Sequence, residues 1–249
     1  MKRFALTCKI EFLLLVRNFF GFFFGLVFPL MMLILFGSIY GNSPMPGSGL
    51  GTMDLSVPGY SVMVMGVAGL MSFPLTLAEY KERKIYKRFD ATPVGKKHVI
   101  LAQITVNLLL TVLGIAILLI AGRFIYQVRI QGDAFSVAVA GLLSIAAMFS
   151  MGFLSTAIGR DAKITNLLCY IFYFIMIFLS GATYPDMLFP ESVRNVSKLL
   201  PMTYAVDLMQ GVFAGDGLGA YRSELLILGG VTLAFTAIGA ILYRKQDWS

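Results

Sequence analysis

A bundle of six transmembrane helices is the fold this sequence predicts, and three observations predict it. Charged residues are 13% of the chain, about half the ~25% of ordinary soluble domains, too few to cover a solvated surface. The hydrophobic residues, 58% of the total, are bunched rather than scattered. Each bunch is long enough to cross ~30 Å of hydrocarbon, which takes about 20 residues of helix.

The first element, residues 1–18, reads as an interfacial helix. Phe4, Leu6, Ile10 and Leu13 to Val16 alternate there with Lys2, Arg3, Lys9, Glu11 and Arg17, as in a helix lying in the headgroup plane. The spans then follow at 19–40, 58–78, 99–122, 135–158, 164–184 and 225–243. None contains Asp, Glu, Lys, Arg or His, each of which costs about 2.5–3.5 kcal/mol at mid-helix. Continuous apolar runs indicate helices; barrel strands would alternate apolar and polar. The first run outlasts the 7–15 residues, roughly, of a signal-peptide core, and Gly41-Asn42-Ser43-Pro44 is a poor cleavage site, so it is expected to stay. Residues 1–249 thus read as a single, wholly α-helical transmembrane domain.

Orientation follows from the basic residues. With the N-terminus inside, residues 1–18, the 79–98 loop, the 159–163 turn and the C-terminal tail are cytoplasmic and hold 15 of the 20 Lys and Arg. The remaining five are Arg123, Arg129, Arg194, Lys198 and Arg222. This bias fits the positive-inside rule, with both termini cytoplasmic in a cell membrane. The net charge of +7 therefore reports topology and contact with anionic lipid, with no nucleic acid required. Cys8 and Cys169 suggest neither a disulfide framework nor a metal site, and His98 reads as an interfacial residue.

The connections differ in character. Residues 41–57, rich in Gly, Pro and Ser, predict a flexible connector. The 79–98 loop lacks breakers until Pro93 and predicts a short amphipathic helix in which Ile85 and Phe89 share a face, flanked by Lys81, Arg83, Lys84, Lys87 and Arg88. Two readings stand for it: a membrane-surface helix held by lipid, or a docking element for a cytoplasmic partner. The outer segment 185–224 holds an apolar stretch around Pro201 that is too short to span, which predicts a re-entrant pair of helices broken near Pro201. Such a cap would gate an exit or stabilise the bundle.

Inside the spans, Gln103, Asn107 and Thr111 recur every four residues and form one stripe. With Asn166, Tyr170 and Tyr173 on span five, they are candidates for a substrate pathway or for interhelical bonds worth about 0.6 kcal/mol each. Gly152 with Thr156 and Ser155 with Gly159 read as close-packing sites. No Gly-x-x-x-x-Gly-Lys-[Ser/Thr] motif occurs, so the chain has no loop with which to cradle the phosphates of ATP. Catalytic residues and metal ligands are not expected: the spans supply no carboxylate or second histidine.

Taken together, Glu82 through Lys87-Arg88-Phe89 to Ala91-Thr92-Pro93, then Ser180-Gly181, Pro185, Leu200-Pro201 and Thr203-Tyr204, resemble the type-2 ABC transporter permease family. With the helix before span one, the resemblance covers essentially the whole chain. It implies an exporter half that pairs with a second permease subunit, identical or homologous, and with a dimer of cytoplasmic ABC ATPase subunits that bind ATP and Mg. By position it assigns coupling to that ATPase to Glu79, Glu82, Arg83, Lys87, Arg88 and Phe89, and an outer re-entrant gate to Pro185, Pro201, Thr203 and Tyr204. One departure is that a glycine, common shortly after the acidic residue of the loop motif, is replaced by Lys84. The expected activity is efflux of a hydrophobic or amphipathic substrate: drug, lipid, peptide or glycan. The alternatives are a gradient-driven carrier or channel, and a non-transporting sensor or immunity subunit, with an intramembrane enzyme the poorest fit.

Overall fold

The computed structural model describes residues 2–44, 50–90, 95–159, 161–183 and 189–245, and among these it is almost entirely helical. Among the described residues, six helices are long and apolar enough to cross a membrane: Phe19–Tyr40, Thr52–Glu82, Gly95–Tyr126, Ala134–Ile158, Ala162–Leu179 and Leu218–Tyr243, here spans one to six. Lys2–Arg17 precedes them, Ile85–Asp90 links spans two and three, and Glu191–Ser197 and Pro201–Ala214 lie between spans five and six. Asn18 separates the N-terminal helix from span one, its Oδ1 accepting the Gly21 N–H at 3.2 Å as an N-cap.

Span two is the centre of the bundle. Nearly every residue from Met53 to Ala78 is buried, whereas the other spans turn apolar side chains outward, such as Phe124 at 83% and Leu226 at 76% exposure. That inversion follows from solvent: in lipid an exposed leucine costs nothing, and close packing of small residues holds helices together. Accordingly, a Cβ added to Gly152 of span four would collide with the Gly69 carbonyl oxygen, and one on Gly69 would lie 2.6 Å from Met148 carbon. Thr156 Oγ1 donates to Gly152 O at 3.1 Å and reaches Pro74 O at 3.4 Å. A Cβ on Gly59 would sit 2.8 Å from Ala182 O, where the chain leaves span five.

Spans one and two each contain a π-helical stretch, Phe23–Val27 and Val67–Ser72. Each ends on Phe-Pro-Leu: Phe28 donates to Phe23 O ahead of Pro29, and Phe73 donates to Ala68 O ahead of Pro74. A proline within a helix lacks the N–H for the carbonyl four residues back and its ring crowds that carbonyl; the wider turn removes the clash without breaking the rod. The repeated tripeptide is a sequence signal for both turns that the apolar pattern alone hides.

Two boundaries depart from expectation. Span two begins at Thr52 rather than residue 58, so 41–57 is not simply a flexible connector: residues 45–49 lie outside the described ones, but the flanks are ordered around Asp54. Asp54 Oδ2 accepts the Gly51 N–H at 3.0 Å, and its Oδ1 accepts Asn42 Nδ2 at 3.1 Å and the Arg129 N–H at 2.9 Å. One short acid thereby caps span two and ties the 1–2 and 3–4 connections together. Asp54→Ala strands three donors and is expected to cost about 2–3 kcal/mol, read as a fall in the melting temperature of the detergent-solubilised protein.

The second departure concerns the segment after span two, which is not one amphipathic helix. Span two continues to Glu82; Arg83 and Lys84 form a break, with Lys84 in the left-handed region at φ 55°; and Ile85–Asp90 is a separate short helix. The residues from Ala91 to Pro93 lie outside the described ones. A side chain in this conformation costs roughly 1 kcal/mol that glycine avoids, which gives a physical reason for a glycine at this place. Lys84→Gly is therefore expected to stabilise the protein by about 0.5–1 kcal/mol, measurable as a raised melting temperature.

Candidate functional site at the basic end of the bundle

The N-terminal helix, the Ile85–Asp90 linking helix, the turn at Asp161 and the end of span six gather at one end of the bundle, where most of the basic residues lie. The linking helix is anchored there by Tyr86, 1% exposed, whose hydroxyl donates to Gln103 Oε1 of span three at 2.9 Å. Its ring lies 5.7 Å from that of Tyr80 and packs with Phe73, Leu77 and Val99. Burial raises the Tyr86 hydroxyl well above the ordinary phenol range, keeping it a neutral donor.

Neighbouring residues extend the anchorage. Glu82 Oε2 accepts the Ala162 N–H at 2.8 Å, placing a carboxylate at the N-terminus of span five, where the helix dipole favours it. Lys81 Nζ lies 5.6 Å from the ring centroid of Tyr243 in span six. Arg83 pairs with Glu79 at 2.8 Å, but both side chains are largely exposed and the pair contributes little. Lys87 and Arg88 point into solvent and Phe89 is half-buried against the Tyr86 cluster. Displacing this short helix would therefore pull on spans two and three through Tyr86, and span two in turn on span five through Glu82.

Glu11 belongs to the same end and was not singled out by its sequence pattern, which presents it as one polar residue of an amphipathic helix. It is 4% exposed, facing Tyr80 and Gln103. Burial raises its carboxyl above the usual range, an effect that the neighbouring polar groups of Tyr80 and Gln103 partly oppose. Since the folded value is raised, stability from Glu11 is complete below the unfolded carboxylate range and is lost as pH rises through the folded value. Glu11→Gln is expected to flatten this part of the pH–stability profile and to stabilise the protein at neutral pH, as followed by thermal melts from pH 4 to 8.

An anchored helix with a free basic edge, on a six-span bundle with no phosphate-binding loop, suits a membrane subunit that receives force from elsewhere. The sequence matches the family described as ABC-2 type transporter over residues 2–214. The chain belongs to this family. No curated protein sequence matches it. As an ABC-2 permease it is a multi-pass membrane protein, the transmembrane part of a transporter, and such permeases are generally paired with an ATP-binding subunit.

Other residues expected to serve the permease fall into separate places. Gln103 bonds Tyr86 at the basic end, whereas Asn107 and Thr111, also buried, lie deeper between spans one and three. On the other flank Tyr170 stands 6.3 Å from Phe20 between ring centroids, and Tyr173 is fully buried against Gly66 of span two. Asn166 begins this row, its Oδ1 buried without a hydrogen-bond partner among the described residues. The stripe on span three and the row on span five thus do not meet in one chain.

At the far end, two helices flank Pro201. Thr203 Oγ1 donates to Ser197 O and Tyr204 Oη to Lys198 O, both at 2.7 Å, satisfying carbonyls at the end of the first helix. The second helix runs alongside span two from its middle back toward its first turns: the Met202 methyl lies 3.4 Å from a Cβ placed on Gly66, while Gln210 Nε2 donates to Leu55 O at 3.1 Å. Leu55 and Gly66 are about 16 Å apart along the helix axis at 1.5 Å per residue. Pro185 lies outside the described residues.

Proposed function

We propose that this ABC-2 permease exports a hydrophobic or amphipathic substrate, driven by a dimer of cytoplasmic ATPase subunits that bind ATP and Mg, and that it works beside a second permease subunit, identical or homologous. The basic end is cytoplasmic in this reading, as the distribution of Lys and Arg favours, and both termini lie on that side of the cell membrane. The observation that carries it is the linking helix: Lys87 and Arg88 are exposed on one side while Tyr86 on the other is fastened to Gln103. Nucleotide binding closes the ATPase dimer, the dimer moves the linking helix, and spans two, three and five shift between inward-open and outward-open states. ATP biases that equilibrium only through its differential affinity for the closed ATPase dimer.

Glu79, Arg83, Lys87, Arg88 and Phe89 form the coupling surface, with Glu82 transmitting to span five. Asn166, Tyr170 and Tyr173 are the proposed substrate row, and Pro201, Thr203 and Tyr204 hold the outer re-entrant gate. The depth that Met202 reaches beside span two supports the re-entrant reading.

The test has two parts. A cysteine replacing Lys87 should react with an impermeant maleimide only from the cytoplasmic side of oriented membranes; reaction from outside would overturn the proposal. In the complex reconstituted in lipid with its ATPase, changing Arg83, Lys87 and Phe89 together to alanine should lower substrate-stimulated ATP hydrolysis at least tenfold. Unchanged hydrolysis and complex formation would also overturn it.

A further inference from the structure

Two arginines line one groove at the end of the bundle opposite the linking helix. The groove, of about 680 Å³, forms where residues 128–131 lie beside the last turns of span three. Leu119, Ile120, Phe124 and Ile130 supply its apolar wall, and Arg123 and Arg129 its charge; among the described residues no carboxylate lines it. Ile120, Phe124 and Ile130 are 47–83% exposed, so the groove is open to whatever surrounds the bundle.

The chain is held in this shape. Span three ends at Tyr126, and Gln127 takes a left-handed φ of 54°, which a residue other than glycine keeps only where its surroundings enforce it. Val128, 3% exposed, donates its N–H to Gly122 O at 3.2 Å; the N–H groups of Arg129 and Gln131 donate to Asp54 Oδ1 at 2.9 Å and Phe213 O at 3.0 Å. Arg123 Nη1 donates to Val128 O at 3.3 Å, which ties that guanidinium across the turn. The Arg129 guanidinium has no hydrogen bond, and neither arginine an ion pair, among the described residues. Neighbouring acids are engaged elsewhere: Asp54 is buried on its three donors, and Asp133 Oδ1 accepts the Ser136 N–H at 2.9 Å to cap span four. Two like charges sharing one groove repel, and an anion between them relieves the repulsion.

Depth identifies what carries the anion. Span three has 32 residues, about 48 Å at 1.5 Å each. That exceeds the ~30 Å of hydrocarbon and matches the ~40–45 Å of a bilayer with its headgroups. Arg123, in the last turn, therefore stands at headgroup level, while Leu119 and Ile120 begin the hydrocarbon. We propose that this groove binds an anionic phospholipid: Arg123 and Arg129 donate to its phosphate oxygens, and the first part of an acyl chain lies over Leu119, Ile120 and Phe124. The planar guanidinium fork suits a phosphate, and the apolar wall beside it has no use for a soluble phosphate ester. The site rests on the membrane placement alone, whichever way the bundle is oriented and whatever it transports.

The experiment uses the full chain in dioleoylphosphatidylcholine nanodiscs doped with a trace of phosphatidylglycerol that carries a diazirine near the carbonyl end of one acyl chain. After photolysis, peptide mapping should find label concentrated at Leu119, Ile120 and Phe124 relative to Leu226 and Leu233, which are exposed on span six. The same diazirine on phosphatidylcholine should label the groove at least tenfold less. Arg129→Gln, which removes no hydrogen bond among the described residues, should lower the groove label at least threefold. Arg123→Gln and Arg129→Gln together should bring it to the level on span six, with label at Leu6 and Leu14 of the N-terminal helix retained. Arg222→Gln, outside the groove, should leave it unchanged. Equal labelling by the two lipids, groove label that survives the double substitution, or an equal loss in Arg222→Gln would overturn the proposal. Groove label no denser than that on span six would also overturn it, as expected if a second copy of the chain covers this face. Displacement by glycerol 3-phosphate would assign the groove to a soluble phosphate ester and overturn the lipid.

Discussion

Gly152→Leu is expected to prevent stable folding of the permease, at a cost of at least about 3 kcal/mol. Spans two and four cross where Gly152 meets the Gly69 carbonyl and Gly69 meets the backbone of Met148 and Phe149. A Cβ at either place meets backbone, which cannot rotate aside as a side-chain tip can. The helices must separate, and because span two is buried on every side, separation loosens its contacts with the outer helix and span five as well. The contrast lies in span six, where a Cβ on Gly229 or Gly230 meets nothing within 4 Å. Gly229→Leu should leave the elution profile and melting temperature in detergent unchanged, whereas Gly152→Leu should give aggregated material. Equal behaviour of the two would refute the packing account.

Tyr86→Ala should separate ATP hydrolysis from transport. The substitution empties a core site among Phe73, Leu77 and Val99 and leaves Gln103 Oε1 unpaired, so the linking helix loses its fastening to span three. Lys87 and Arg88 of the proposed coupling surface are unchanged, so a complex with an ATPase should still assemble. In proteoliposomes, transport is expected to fall at least tenfold while basal ATP hydrolysis changes by less than about twofold. Tyr86→Phe, which keeps the ring and removes only the hydroxyl, should fall between. Parallel loss of both activities in Tyr86→Ala would instead assign Tyr86 to assembly.

The six crossings were legible because insertion into hydrocarbon depends on composition over about 20 residues, and no run carries a charge. Span two's true start was obscured because Thr52, Asp54 and Ser56 look like loop chemistry, while Asp54 in fact serves as a cap whose partner Arg129 is distant in sequence. The break at Lys84 was likewise hidden: nothing in its side chain announces a left-handed backbone, and only the replaced glycine hinted at one. Gln103 stood out in the polar stripe of span three, but its pairing with Tyr86 joins a loop to a span across 17 positions and is a tertiary fact. The twofold role of polar residues in spans, fastening or lining, is decided by neighbours that no single-helix pattern contains.

The paired Phe-Pro-Leu turns carry a geometric consequence for the whole bundle. A wider turn takes in one extra residue without its ordinary rotation of about 100° and rise of about 1.5 Å, so all that follows lags the uniform helical wheel by about 100°. Spans one and two each therefore present a different stripe of side chains to one leaflet than to the other, without a sharp change of direction. A substitution scan that assumes a single uninterrupted 3.6-residue wheel would assign neighbours to the wrong side of the rod beyond Phe28 and Phe73.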